Sequence, residues 1–129
     1  MSKFLRYWFP VLLYVTLIFT VSSNQNLKLP DIPGLTDKVV HAAEYGVLGF
    51  LLVRALRGTN VVATSVPAAL IAILFGLLVG LADELYQAYV PGRISDPADY
   101  AVDALGLALS AIVFLLLRGF RRRGRRARA

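Results

Sequence analysis

Apolar residues run along the chain in four long segments, and polar and helix-breaking residues separate them. The segments lie at about residues 4–23, 36–56, 61–89 and 97–117. Each approaches the roughly 20 residues that an α-helix needs to cross about 30 Å of hydrocarbon. The pattern predicts an all-α fold, an integral membrane bundle of four transmembrane helices. Residues 1–117 would then form a single membrane domain, and residues 118–129 an arginine-rich tail.

The composition favours lipid as the solvent of this bundle. The 129 residues are 57% hydrophobic and 17% charged, and a soluble domain of this size would leave large apolar patches exposed to water. The absence of cysteine excludes disulfide bonds and thiolate chemistry. Much of the net charge of +6 comes from the tail, which we expect to attract anionic lipid. Because the chain has no recognisable nucleic-acid-binding module, we expect no nucleic acid partner.

The positions of the cations predict the orientation of the bundle. All lysines and arginines except Lys28, Lys38 and Arg93 lie near the amino terminus, between the second and third helices, or in the tail. Cytoplasmic loops of membrane proteins are enriched in these residues, so both termini are predicted to be cytoplasmic. The first segment also fits a cleaved signal peptide, because Lys3 and Arg6 precede an apolar run that ends in small residues. Whether this helix is retained stays open.

Ionisable residues of three helices are predicted to lie at one depth near the outer surface. Those of the second helix are three or four residues apart and share a face. The candidate ligand-binding residues are Asp37, His41, Glu44, Tyr45, Asp83, Glu84, Gln87, Arg93, Asp99 and Asp103. Charged groups in a membrane segment are costly unless they face a protein interior or a wet cavity, so we expect one shared polar pocket that opens outward. The alternative is a set of scattered interfacial charges, with Asp96 and Asp99 acting as helix caps.

Small residues on the third helix predict how it packs. Ala72, Gly76 and Gly80 follow one another every four residues and therefore share one face of the helix. Glu84 is four residues further and continues this face. Small side chains let helix backbones approach closely in lipid, and we expect this face to contact Gly106 and Ser110 of the fourth helix. Glu84 would then point into the bundle.

The candidate residues allow three kinds of chemistry. Arg93 and Gln87 suit a polar or phosphate-bearing head group, which predicts a binding site. His41 could instead act as a general acid or base with Glu84 or Asp83 as its carboxylate partner, which predicts an enzyme. A divalent metal ion is the third option, since oxygen-rich clusters bind hard cations. The candidate metal ligands are His41, Glu44, Glu84 and Asp103. No other cofactor is predicted.

The spaced polar positions resemble those of the VanZ-like family of small bacterial membrane proteins. The residues that carry the resemblance are Asp37, Lys38, His41, Tyr45, Asp83, Glu84, Gln87, Pro91, Gly92, Arg93, Asp99, Asp103 and Gly106. The resemblance covers about residues 36–117, and Asp103 stands where the family usually has asparagine. It implies a multi-pass protein of the bacterial plasma membrane, in a family whose founding member is linked to low-level resistance to the glycopeptide teicoplanin.

The resemblance and the polar pocket together lead to an expected function. We expect a non-enzymatic protein that modulates the cell envelope by binding a lipid or cell-wall head group. Its partners would be membrane lipids and a lipid-linked cell-wall precursor or glycopeptide, and oligomers are compatible with the sequence. The alternative is a membrane enzyme that acts on a lipid-linked substrate by histidine and carboxylate acid-base chemistry or with a metal ion.

Overall fold

The computed structural model describes residues 2–24, 36–91 and 96–126, with the side chains of 36, 37 and 121–126 left out. The described helices are α1 (Lys3–Ser22), α2 (Thr36–Gly58), α3 (Ser65–Gln87) and α4 (Pro97–Arg126). The all-α prediction is therefore confirmed for the described part of the chain. Each helix contains a stretch that is long and apolar enough to cross a membrane.

Two helix boundaries differ clearly from the predicted ones. α3 begins at Ser65 and not near 61, because the preceding residues form a turn. Asn60 adopts a φ of 60°, which asparagine tolerates better than most residues, and the Arg57 guanidinium donates a 2.7 Å hydrogen bond to the Val62 carbonyl. α4 continues to Arg126 and not to about 117, so most of the predicted tail is helical. Arginine and leucine favour a helix, and no proline interrupts them.

The four helices pack with α2 at the centre. α2 and α3 each contact all three other helices, and the contacts of α2 are the more extensive, whereas the backbones of α1 and α4 do not approach each other closely within the described ranges. The largest fully buried side chains include Ile18, Tyr45, Leu48, Val53 and Leu107. Many large apolar side chains of α1, α3 and α4 point out from the bundle, where a bilayer would cover them.

Two close helix pairs use the small residues, but the pairing differs from the predicted one. A Cβ atom at Gly106 would overlap the carbonyl oxygen of Ala42 on α2, and one at Gly49 would overlap the hydroxyl of Ser110. The prediction that Gly106 and Ser110 face α3 is therefore wrong. The glycines of α3 face other residues of α4: a Cβ at Gly76 would overlap Leu107, and one at Gly80 would lie 3.3 Å from the Asp103 carboxylate.

The helices alternate in direction, so the ends of α1 and α3 lie at the same end of the bundle as the beginnings of α2 and α4. At one end, Ser22 of α1 contacts Asp83 of α3, and Lys38 of α2 contacts Asp99 of α4. We call this the polar end. At the opposite end, Arg118 of α4 donates a 3.0 Å hydrogen bond to the Ser65 hydroxyl of α3. The orientation predicted from the cations places the polar end outside the cell.

Gly106 provides a test of the contact between α2 and α4. We predict that Gly106→Ala destabilises the bundle by about 1–3 kcal/mol, because the added methyl group must displace the backbone of α2. Gly119→Ala is the matched control, since nothing lies within 4 Å of a Cβ at that position. Thermal unfolding in detergent, followed by circular dichroism, should show a lower midpoint for Gly106→Ala alone. Equal midpoints for the two variants would refute the close approach.

The orientation is tested by labelling single cysteines in a chain that has none of its own. Ala88 and Ala63 are exposed alanines at the polar end and the opposite end. We predict that a membrane-impermeant maleimide labels Ala88→Cys on intact cells, and labels Ala63→Cys only after permeabilisation. The reverse result would place the polar end in the cytoplasm.

Candidate functional site

A buried histidine and a buried aspartate form the centre of the polar end. Nδ1 of His41 on α2 lies 3.0 Å from Oδ1 of Asp103 on α4, and Asp103 is only 1% exposed. With Asp103 ionised, its carboxylate would accept this hydrogen bond from a hydrogen on Nδ1 of the ring. Gly80 leaves the space for this arrangement, because a Cβ there would lie 3.3 Å from both Asp103 Oδ2 and the Tyr45 ring.

Lys38 joins the beginnings of α2 and α4. Its ammonium group donates to Asp99 at 2.8 Å and to Asp96 at 3.3 Å. Asp96 also caps α4, because its Oδ1 accepts the N–H of Ala98 at 2.9 Å. The Ala98 N–H and the Lys38 ammonium hold the pKa of the Asp96 carboxyl below its usual range. Asp96 therefore stays ionised well into acidic pH, and this ionic link is lost only as the pH falls through that lowered pKa.

A second buried group connects α1 to α3. Oδ2 of Asp83 accepts hydrogen bonds from the Ser22 hydroxyl and from the Gln87 amide, both at 2.9 Å. All three side chains are buried. Beside this group, the hydroxyls of Ser23 and Tyr86 lie 2.9 Å apart. α1 is therefore attached to the polar end by side-chain hydrogen bonds as well as by apolar contacts.

Glu84 and Tyr45 lie between these groups. Oε2 of the buried Glu84 accepts the N–H of Asp96 at 3.1 Å, which connects α3 to the beginning of α4. Tyr45 is fully buried, and its hydroxyl has no hydrogen-bond partner among the described residues. Oδ1 of Asp83 also has none within these ranges. Buried polar atoms are normally satisfied, so a water molecule or a ligand atom would be stabilised beside them.

The remaining candidates are placed less centrally. Glu44 is half-buried on α2. Asp37 lies in the first turn of α2, but its side chain is outside the described part, as is Arg93. Within the described ranges, no three histidine, aspartate or glutamate side chains are grouped so that they could hold a metal ion. The four candidate metal ligands therefore do not form such a group here, although His41 and Asp103 contact each other directly.

We call the polar side chains described above the polar layer: Ser22, Lys38, His41, Tyr45, Asp83, Glu84, Gln87, Asp96, Asp99 and Asp103. Three of these residues were absent from the predicted site. Lys38 is three residues before His41 on the same face of α2, a spacing that could have identified it. Asp96 was interpreted as a helix cap, and it both caps α4 and binds Lys38. Ser22 was interpreted as one of the small residues of a signal peptide, and nothing local indicates its contact with Asp83.

The VanZ/LLP1 family model matches residues 4–118. The chain belongs to the VanZ/LLP1 family. This confirms the resemblance seen in the polar positions of α2 to α4, and the match extends it to α1. No curated protein and no solved structure gives a significant match to the chain. The four apolar helices and the membership in the VanZ/LLP1 family together indicate a multi-pass membrane protein.

The Ser22 hydroxyl provides a test of how α1 is attached in this VanZ/LLP1 protein. We predict that Ser22→Ala destabilises the bundle by about 1–3 kcal/mol, because Asp83 loses a buried hydrogen bond. Ser110→Ala is the matched control, since that buried hydroxyl donates to the Leu107 carbonyl of its own helix. The thermal midpoint in detergent should fall clearly further for Ser22→Ala. A larger loss for Ser110→Ala would contradict the attachment.

Proposed function

We propose that this VanZ/LLP1 protein modulates the bacterial cell envelope by binding the head group of a membrane lipid or a lipid-linked cell-wall precursor. The binding site is the polar layer of the polar end, and it faces outward from the plasma membrane. One observation carries the proposal: all four helices direct buried polar or ionisable side chains to this single end. In a membrane protein such groups are costly, and they are typical of ligand and transport sites.

The composition of the layer favours a ligand over a purely structural role. Neutral serine or glutamine side chains can join membrane helices at lower cost than buried charges. Among the described residues, however, carboxylates outnumber cations at this end. The carboxylates are Asp83, Glu84, Asp96, Asp99 and Asp103, and the basic side chains are Lys38 and His41. A head group that donates hydrogen bonds, through amine or hydroxyl groups, would complement this excess of acceptors.

An enzyme is the second candidate, and the His41–Asp103 hydrogen bond favours it. A carboxylate that orients the ring of a histidine is one arrangement that enzymes use for general acid-base catalysis. In this alternative, His41 would transfer a proton to or from a lipid-linked substrate. Asp103, which contacts Nδ1 of the ring, joins Glu84 and Asp83 as a candidate carboxylate partner of His41.

Two substitutions of His41 separate these functions. A glutamine can still donate a hydrogen bond to Asp103 but cannot carry a titrating proton, whereas a leucine can do neither. For a binding site, His41→Gln should keep most of the co-purifying lipid, and His41→Leu should lose about tenfold in occupancy because Asp103 is left unsatisfied. For an acid-base catalyst, both variants should be inactive to a similar degree.

The readouts are the lipid that co-purifies with the protein and the teicoplanin susceptibility of a bacterium that expresses it. Val39→Leu changes an exposed residue of α2 and is the control, which should resemble the wild type in both measurements. Equal loss of function in both His41 variants, with lipid retained, would favour the enzyme. If the His41→Leu variant co-purifies with as much lipid as the wild type, the binding site at the polar layer is refuted.

A further inference from the structure

A groove of about 370 Å³ lies on the surface of the bundle between α2 and α4. Gly46 and Gly106 form part of its wall, together with larger apolar residues such as Val47 and Leu109. The groove exists because these small residues leave space beside the point where α2 and α4 approach most closely. Its volume is within the range of about 300–1,000 Å³ that is typical of small-molecule sites.

The groove begins within one helical turn of the His41–Asp103 pair along α2 and α4, and the two side chains of that pair are not part of its lining. Ala42, the residue after His41, lines it on α2, and Gly106, one turn after Asp103, lines it on α4. From Ala42 the lining continues along α2 to Leu51, a distance of about 13.5 Å at 1.5 Å per residue. The groove therefore leads from the polar layer toward the middle of the membrane-spanning part of the bundle.

The lining of the groove suits a hydrocarbon. Ser110 contributes a hydroxyl, and this hydroxyl already donates a 2.8 Å hydrogen bond to the Leu107 carbonyl. The other side chains of the lining are aliphatic or aromatic. Ala43, Val47 and Leu109 are exposed, so the groove opens toward the lipid in a bilayer.

We propose that this groove binds one acyl chain of the molecule whose head group occupies the polar layer. The inference rests on the proposed head-group binding and extends it, because it makes the ligand an amphiphile with two separately recognised parts. The polar layer holds the head group, and the groove holds the adjoining chain by close packing. Binding then depends on dispersion contacts with the groove, since lipid tails gain no hydrophobic energy by leaving a bilayer.

The test fills the groove without changing the polar layer. Ala43→Leu and Val47→Phe enlarge two exposed residues of the lining, and Ala82→Leu makes the same change as the first at an exposed position of α3 outside the groove. The probe is dipalmitoyl phosphatidylethanolamine, whose head group carries an amine, titrated into purified protein and followed by native mass spectrometry. Each groove variant should weaken binding about tenfold, the usual effect of overpacking a fitted site. Ala82→Leu should bind like the wild type.

His41→Leu distinguishes the failure of this inference from the failure of head-group binding. If His41→Leu loses the lipid while both groove variants retain it, the head group is bound but the acyl chain lies elsewhere. If His41→Leu also retains it, the proposed function itself fails. A change of oligomeric state in the groove variants without loss of lipid would assign the groove to contacts between copies and overturn the inference. A thermal midpoint far below that of the wild type identifies a misfolded variant. If one groove variant is misfolded, the lipid binding of the other groove variant tests the inference.

Discussion

The backbone contact between α2 and α4 at Gly106 determines much of the structure. Lipid tails are as apolar as leucine, so membrane helices associate through close packing and polar contacts and not through the hydrophobic effect. At Gly106 there is no space for a Cβ atom beside the carbonyl oxygen of Ala42. One turn closer to the polar end, the same approach brings His41 and Asp103 within 3.0 Å. The packing contact and the centre of the site therefore depend on the same pair of helices.

The polar layer adds connections that packing alone does not provide. Asp83 binds Ser22 of α1, Lys38 binds Asp99 of α4, and Glu84 accepts the N–H of Asp96. In a low dielectric, satisfied polar groups hold helices firmly, and buried polar groups without a partner are expensive. A purely structural layer would be expected to satisfy all its members. The Tyr45 hydroxyl has no partner among the described residues, which is easier to explain if the layer also receives a ligand or water.

The sequence predicted two features better than the contacts between helices. These are the type of fold and the end of the bundle at which the ionisable side chains gather. Long apolar segments are sufficient to predict four helices, and the costly charges of α2, α3 and α4 are sufficient to predict a cluster. Small residues such as Gly106 indicate a close approach without indicating the partner helix, and here the predicted partner was wrong. Ser22 could not be assigned, because a single serine gives no information about an aspartate 61 residues away.

The resemblance to the VanZ-like family implies an asparagine at the position of Asp103. An asparagine there could accept the same hydrogen bond from His41 through its carbonyl oxygen, but it would carry no charge. The aspartate adds a negative charge to a layer in which Lys38 is already occupied by Asp96 and Asp99. The extra charge makes a ligand that brings its own hydrogen-bond donors more favourable and an anionic one less so. If the layer binds a head group as proposed, an aspartate here keeps the contact with His41 and favours a head group that carries hydrogen-bond donors.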